Sequence, residues 1–167
     1  MTHPDHIKAL TLRLPDLAAT ERLGVQLAGL LRPGLKIYLS GDLGSGKTTL
    51  VRALLAAAGY GGRVKSPTYA LVELYVISKL YLYHFDFYRF RDPEEWQDAG
   101  FREHFDGSAV CLVEWPEKAA GLLPPADLDI SITIPDQRQG GGRHLKISAN
   151  SASGENCLIA LQPASSS

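Results

Sequence analysis

Residues 41–48 constrain this chain more than any others. Gly41-Asp42-Leu43-Gly44-Ser45-Gly46-Lys47-Thr48 is a complete G-x-x-x-x-G-K-[ST] string set between an apolar run and an apolar helical stretch. Lys36-Ile37-Tyr38-Leu39-Ser40 reads as a short buried strand, and Thr49 to Ala58 places Leu50, Ala53, Leu54 and Ala57 at helical spacing. The glycines let successive backbone N–H groups aim at one point without Cβ clashes, and the N-terminus of the following helix adds the positive end of its dipole. Lys47 then reaches the β- and γ-phosphates as a mobile point charge, and the Thr48 hydroxyl is placed to ligate Mg2+. A glycine-rich turn carrying an exposed Lys and Thr is the bland reading. The agreement of strand, loop and helix favours a nucleoside triphosphate.

At 167 residues the chain is expected to form one domain that buries about 70% of its unfolded surface in a single core. Cys111 lies inside the apolar run Ala109-Val110-Cys111-Leu112-Val113, far in sequence from Cys157, and both read as free thiols suited to a reducing cytosol. The N-terminal Met1-Thr2-His3-Pro4-Asp5-His6 is no signal peptide, and no run approaches about 18 consecutive apolar residues, so a cytoplasmic protein with no membrane partner is expected. A net charge of −1 gives no field for counterion release, and neither DNA nor stable independent RNA binding is expected. Arg63, Lys65, Arg89 and Arg91 offer a local basic group, a pattern more often a solvated face.

Along the chain, a strand near Leu10–Leu14 precedes a helix capped by Asp16, with Leu17, Leu23, Leu27 and Leu30-Leu31 as its apolar stripe and Pro33-Gly34 as its end. Arg63 to Thr68 reads as an exposed, mobile connector. Ala70–Ile77 and Leu80–Phe87 read as a hairpin closed by Ser78-Lys79. Asp92-Pro93-Glu94-Glu95 carries helix-start signals, a shorter helix lies near Phe101–Phe105, and the strand Ala109–Val113 follows. Leu128–Ile134 alternates in period two and pairs with Leu145–Ile147 across Gly140-Gly141-Gly142 as a late antiparallel hairpin. The fold class is therefore α/β: a three-layer, phosphate-loop NTPase-like fold whose mixed sheet has a parallel core, antiparallel hairpins and flanking helices. Residues 1–150 form the single domain, and residues 151–167 read as a flexible C-terminal tail.

A phosphate loop needs acids to hold a metal or its water shell. Glu114 ends the buried strand Ala109–Val113 at the sheet edge where α/β proteins bind ligands, the alternative being a cap on the helix at Pro116. Asp86 lies within Tyr81–Arg89 at the end of a strand dense in aromatics, and three roles fit it equally: holding Mg2+ through water, orienting an attacking water, or pairing with Arg89. Thr68 suits either a nucleotide switch that reaches the γ-phosphate or a plain turn closed by Ser66-Pro67-Thr68. His84 reads as a core or interface histidine more readily than as a base, and Trp115 divides evenly between stacking on adenine and packing on the core.

The chain has no N-K-x-D and no D-x-x-G, which demotes a signalling GTPase. A small-molecule phosphate-loop kinase is the alternative to a slow ATPase that controls assembly, with Arg89, Arg91 and Arg102 as its clustered lid candidates. The strings Gly41 to Thr49, Val64-Lys65-Ser66-Pro67-Thr68-Tyr69, Tyr83-His84-Phe85-Asp86-Phe87-Tyr88-Arg89 and Leu112-Val113-Glu114-Trp115-Pro116 resemble, in that order, the signature of the TsaE (YjeE) family. These are bacterial ATPases of tRNA threonylcarbamoyladenosine biosynthesis. The resemblance runs from about Leu14 to Ile134.

It implies binding of ATP and Mg2+, weak ATPase activity that partners stimulate, and a heteromeric complex with the TsaB and TsaD proteins, through which the chain meets tRNA indirectly and serves modification of adenosine 37. By matching motif, Gly41, Asp42, Leu43, Gly44, Ser45, Gly46 and Lys47 hold phosphates, Thr49 supports the α-phosphate side, and Trp115 moves toward the nucleotide. Thr48 and Glu114 form the metal site together with Asp86. Catalysis is carried by Asp86, Lys47 and the switch-like Thr68. Leu17 stands where relatives commonly carry an acid, and Glu73-Leu74 where Glu-Pro or Glu-Glu is more usual.

Overall fold

Strands β2 (Lys36–Ser40) and β5 (Val110–Glu114) bury side chains on both faces, so neither is suited to an edge. They sit in the middle of a seven-stranded sheet in the computed structural model, which describes residues 8–65, 67, 70–136, 138 and 141–162. The remaining strands are β1 (Ala9–Leu14), β3 (Val72–Ile77), β4 (Leu80–Asp86), β6 (Leu128–Thr133) and β7 (Arg143–Ala149), in the spatial order β1-β7-β6-β2-β5-β4-β3. β6, β2, β5 and β4 are parallel. Antiparallel pairs extend this core on both sides, β3 on β4, β7 on β6 and β1 on β7. The mixed α/β sheet read from the sequence is therefore present, both hairpins included.

Strand alternation divides the core into two layers. Ile37, Leu39, Leu82, Val110 and Leu112 face helices α1 (Leu17–Ala28), α2 (Lys47–Ala57) and α4 (Ala152–Leu161), whose Leu23, Leu27, Leu50, Leu54 and Leu158 complete that cluster. Tyr38, Phe85, Cys111 and Val113 face the other way, against Phe87, Phe101 and Trp96 of helix α3 (Pro93–Asp98). Asp16 caps α1 by accepting from the Ala19 N–H at 2.9 Å. Asp92 caps α3 by accepting from the Glu94 N–H at 3.0 Å, with Pro93 in the first turn. No helix among the described residues is long and apolar enough to cross a membrane.

The structure departs from the sequence reading in four places. α1 ends at Ala28, before Pro33-Gly34, and its first residue Leu17 is 59% exposed, so Leu17 is no part of the buried stripe. α2 begins at Lys47 rather than Thr49, which puts Lys47 and Thr48 in its first turn. The connector is anchored rather than free where it is described: the Tyr75 hydroxyl accepts from the Lys65 N–H at 3.3 Å and donates to the Lys65 carbonyl at 3.2 Å, and Pro67 is buried. The largest correction concerns residues 151–167. Ala152–Leu161 is a helix, not a flexible tail, with Cys157, Leu158 and Leu161 buried. Residues 163–167 lie outside the described residues.

Two local causes explain the helix. Ser151 caps it, its hydroxyl accepting from the Gly154 N–H at 3.0 Å. Gly154 lets it approach closely, since a Cβ there would lie 2.0 Å from the Asp127 carbonyl oxygen. Asp127 is the hub of this corner: its carboxylate accepts from the Lys36 N–H at 2.8 Å and from the Ser151 hydroxyl at 2.6 Å. Its backbone N–H donates to the Lys36 carbonyl, and its carbonyl accepts from the Asn150 N–H. The small residues that made this segment resemble a tail are those that allow it to dock. Leu158→Ala is expected to destabilise the protein by about 2–5 kcal/mol in urea unfolding, the range for truncating a buried Leu; an unchanged midpoint would return the segment to a loose tail.

Candidate nucleotide-binding site

Parallel pairing brings the proposed site residues together. In register, Leu39 on β2 and Asp86 on β4 both lie opposite Glu114 on β5, so three strand ends stand abreast at the carboxyl edge of the sheet. The loop from Gly41 to Gly46 leaves β2 at that edge, and Gly46 takes φ +108°, a left-handed conformation, where it caps α2. A cavity of about 320 Å³ is bounded by residues 43–49 together with Asp86, Tyr88, Glu114 and Trp115. Gly41 and Asp42 lie just behind it, and their carbonyls accept from the Lys47 ammonium, that of Asp42 at 3.0 Å. Thr68 and Ser66 lie outside the described residues.

Lys47 is only 5% exposed and its ammonium sits 4.4 Å from the centroid of the Trp115 ring. Burial lowers its pKa, and the nearby carboxylates of Glu114 and Asp86 oppose that shift. Trp115 holds φ +58°, an uncommon conformation for a residue with a Cβ, and its ring also meets Tyr88 at 5.0 Å between centroids. Glu114 does not cap the turn at Pro116: that turn has no side-chain cap. Its carboxylate instead accepts from the Thr48 hydroxyl, 3.0 Å from Oε1 and 3.2 Å from Oε2. The imidazole of His84 lies against the same carboxylate, Nε2 to Oε2 2.6 Å, with His84 fully buried and Glu114 2% exposed.

Asp86 accepts from the Tyr88 N–H at 3.0 Å, closing the turn after β4. Its carboxyl is pushed above the ordinary aspartate value, by burial first and also by the charge of Glu114, against the Tyr88 N–H and the nearby His84 and Lys47. A half-buried acid with a raised pKa at a sheet edge beside a lysine is the pattern of a candidate functional carboxylate.

Arg143, at the start of β7, carries no sequence signal beyond its place after a run of glycines, yet it braces the phosphate loop. Its Nε donates to the Ser45 carbonyl at 2.8 Å and its guanidinium also donates to the carbonyls of Gly44, at 3.2 Å, and Gly142, at 2.7 Å. Because C=O and N–H point oppositely across a trans peptide, fixing the Ser45 carbonyl turns the Gly46 N–H the other way. A second cavity of about 330 Å³ adjoins the loop, lined by Asp16, Leu17 and Thr20 of the α1 start, by Ser45 and Thr49, and by Arg143.

The residues fit a nucleotide and a hard divalent cation. Ser45 Oγ is buried without a hydrogen-bond partner in the described structure, inside a loop whose glycines open its backbone. One hydroxyl and two carboxylates form an oxygen donor set of the kind Mg2+ takes. The raised pKa of Asp86 has a consequence for stability. The folded chain binds that proton more tightly than the unfolded chain, so stability falls as pH rises from the ordinary aspartate range through the raised value, and ionised Asp86 remains a standing cost above it. Asp86→Asn is therefore expected to raise the thermal midpoint at pH 7 and to lose that advantage near pH 3, by calorimetry; equal midpoints at pH 7 would contradict the electrostatics.

The model of the family described as "Threonylcarbamoyl adenosine biosynthesis protein TsaE" matches residues 14–144. A Haemophilus influenzae protein named tRNA threonylcarbamoyladenosine biosynthesis protein TsaE is 41% identical over 160 residues, covering 93% of this chain and 99% of its own. A Bacillus subtilis protein of the same name is 37% identical over 126 residues, covering 75% of this chain and 78% of its own. The crystal structure of Bacillus subtilis YdiB superposes with a TM-score of 0.76 at 28% identity, covering 93% of this chain and 95% of that one. A phosphate loop abreast of Glu114 and Asp86 is thus set in a fold and a sequence pattern shared over most of the chain with these proteins, and the chain belongs to the TsaE family of tRNA threonylcarbamoyladenosine biosynthesis proteins.

Proposed function

We propose that this chain binds Mg2+-ATP at the phosphate loop, hydrolyses it slowly by itself and faster with partners, and in that cycle supports threonylcarbamoylation of adenosine 37 in tRNA together with TsaB and TsaD. The observation that carries the nucleotide reading is the convergence of Lys47, Thr48, Glu114 and Asp86 on one cavity of about 320 Å³ at the loop. The loop N–H groups and the start of α2 hold phosphate oxygens, and Lys47 follows the β- and γ-phosphates from a position where burial has already removed much of its water. Thr48 and Glu114 hold Mg2+, with Asp86 nearby. Held there, Mg2+ would supply positive charge against the charge that develops on the phosphate oxygens. Asp86, whose raised pKa makes it a better proton acceptor than an ordinary aspartate, orients the attacking water. Trp115 and Tyr88 line this space, and the cavity beside Leu17 and Thr20 gives the nucleoside room.

The partner reading rests on family membership. Two experiments test the proposal. Lys47→Ala is expected to lose about ten- to a hundredfold in ATP affinity by calorimetry, because a charge-assisted hydrogen bond contributes about 1.5–3 kcal/mol; unchanged affinity would remove the site. Reconstitution with TsaB, TsaD, tRNA and a threonylcarbamoyl donor should yield modified tRNA with the wild-type chain and little with Lys47→Ala, and should raise phosphate release. Phosphate appearing on an added small molecule instead of in water would favour the kinase.

A further inference from the structure

We propose that His84 is a positioning residue for the metal end of this site, fixing the Glu114 carboxylate so that its other oxygen faces Thr48 and a divalent cation bound with the nucleotide. The inference rests on the Mg2+-nucleotide reading above and adds a residue to it. His84 and Asp86 are two apart on β4 and so share a face, and Asp86 lies in register with Glu114 on β5, so all three point to the side covered by α2 and Thr48. His84 Nε2 lies 2.6 Å from Glu114 Oε2 and its ring is wholly buried. A carboxylate only accepts, so the hydrogen of this contact is on Nε2.

The cost of the arrangement argues against simple core filling. His84 Nδ1 is buried with no hydrogen-bond partner in the described structure, so the ring is desolvated at one nitrogen with no contact to offset it. An aliphatic side chain would fill the space without that penalty. What the imidazole adds is a short, charge-assisted bond from a rigid ring on β4 to a side chain with several rotatable bonds. The Thr48 hydroxyl alone lies nearly equidistant from both oxygens, at 3.0 and 3.2 Å, and does not choose between them. With Oε2 taken by His84, Oε1 is left for the cation. Contacts of this outer kind set the direction and basicity of the ligand they touch.

The test separates metal from nucleotide. The full-length wild type, His84→Gln and His84→Met are titrated with ADP in EDTA, and with Mn2+ at saturating ADP by electron paramagnetic resonance, Mg2+ serving as competitor. The Gln amide nitrogen lies the same number of bonds from Cα as imidazole Nε2 and can donate; Met fills a similar length and cannot. His84→Met should lose about ten- to a hundredfold in Mn2+ and Mg2+ affinity while metal-free ADP binding stays within about twofold, and His84→Gln should recover most of the loss. Wild-type metal affinity in His84→Met overturns the proposal, as does an equal loss of metal-free ADP binding, which would make His84 a core residue only. If His84→Met does not fold, nitrogen spectra of the wild-type histidines decide: the His84 Nε2 signal should move as Mg2+ is added to the ADP complex, and an indifferent signal overturns the proposal. A wild-type chain that binds no ADP overturns the nucleotide reading and this proposal together, which distinguishes it from failure of the His84 assignment alone.

Discussion

The parallel register of β2, β5 and β4 is the constraint on which the site depends. Strand pairing at fixed steps places Leu39, Glu114 and Asp86 side by side, and the contacts of Glu114 with Thr48 and His84 follow from that alignment. A slip of one residue in β5 would send Glu114 to the aromatic layer beside Phe85, away from Thr48. The two hydrophobic layers prevent the slip, because it would also exchange Leu112 with Val113 and Val110 with Cys111 between faces. The core thus fixes the chemistry at the edge without touching it.

The edge itself is less comfortable than the core. Trp115 has a left-handed backbone, Asp86 is a desolvated acid, and Lys47 is a desolvated cation resting on an indole. Such groups oppose folding locally and are tolerated because the sheet beneath them is well packed. Their unfavourable terms partly cancel: the carboxylates of Asp86 and Glu114 hold Lys47 charged against burial, and Lys47 in turn limits the rise in the pKa of Asp86.

Most of the architecture was legible because its signals are local. The apolar run before the loop, the Asp16 and Asp92 caps and the Ser78-Lys79 hairpin each declare themselves within a few residues. Glu114 was legible for the same reason, as an acid at the end of an apolar strand. What escaped were contacts between distant segments. Arg143 reaches the loop across 98 residues of sequence, and nothing beside it says so. His84 reads as a core histidine and is one by burial, but the 30 residues separating it from Glu114 hide the contact that gives it a role. Helix α4 was lost because Ser, Gly and Ala score as a loose end unless the carbonyl of Asp127 is known to lie beneath Gly154.

That corner also sets an order on folding during synthesis. Strand β2, which leads into the phosphate loop, has its first N–H bonded to the Asp127 carboxylate 91 residues later, and Ser151 of the last helix binds the same carboxylate. Among the described residues β1 pairs with β7 alone, so Leu10 waits for Ile147. The strand that leads into the loop is thus made well before the residues that complete its hydrogen bonds. At about 5–20 residues per second, the nascent loop passes several seconds beside unpaired edges. Non-local pairing of this kind makes for slow folding. On the proposed nucleotide reading, a ligand captured by the loop before α4 docks would stabilise an incomplete sheet and so act on folding as well.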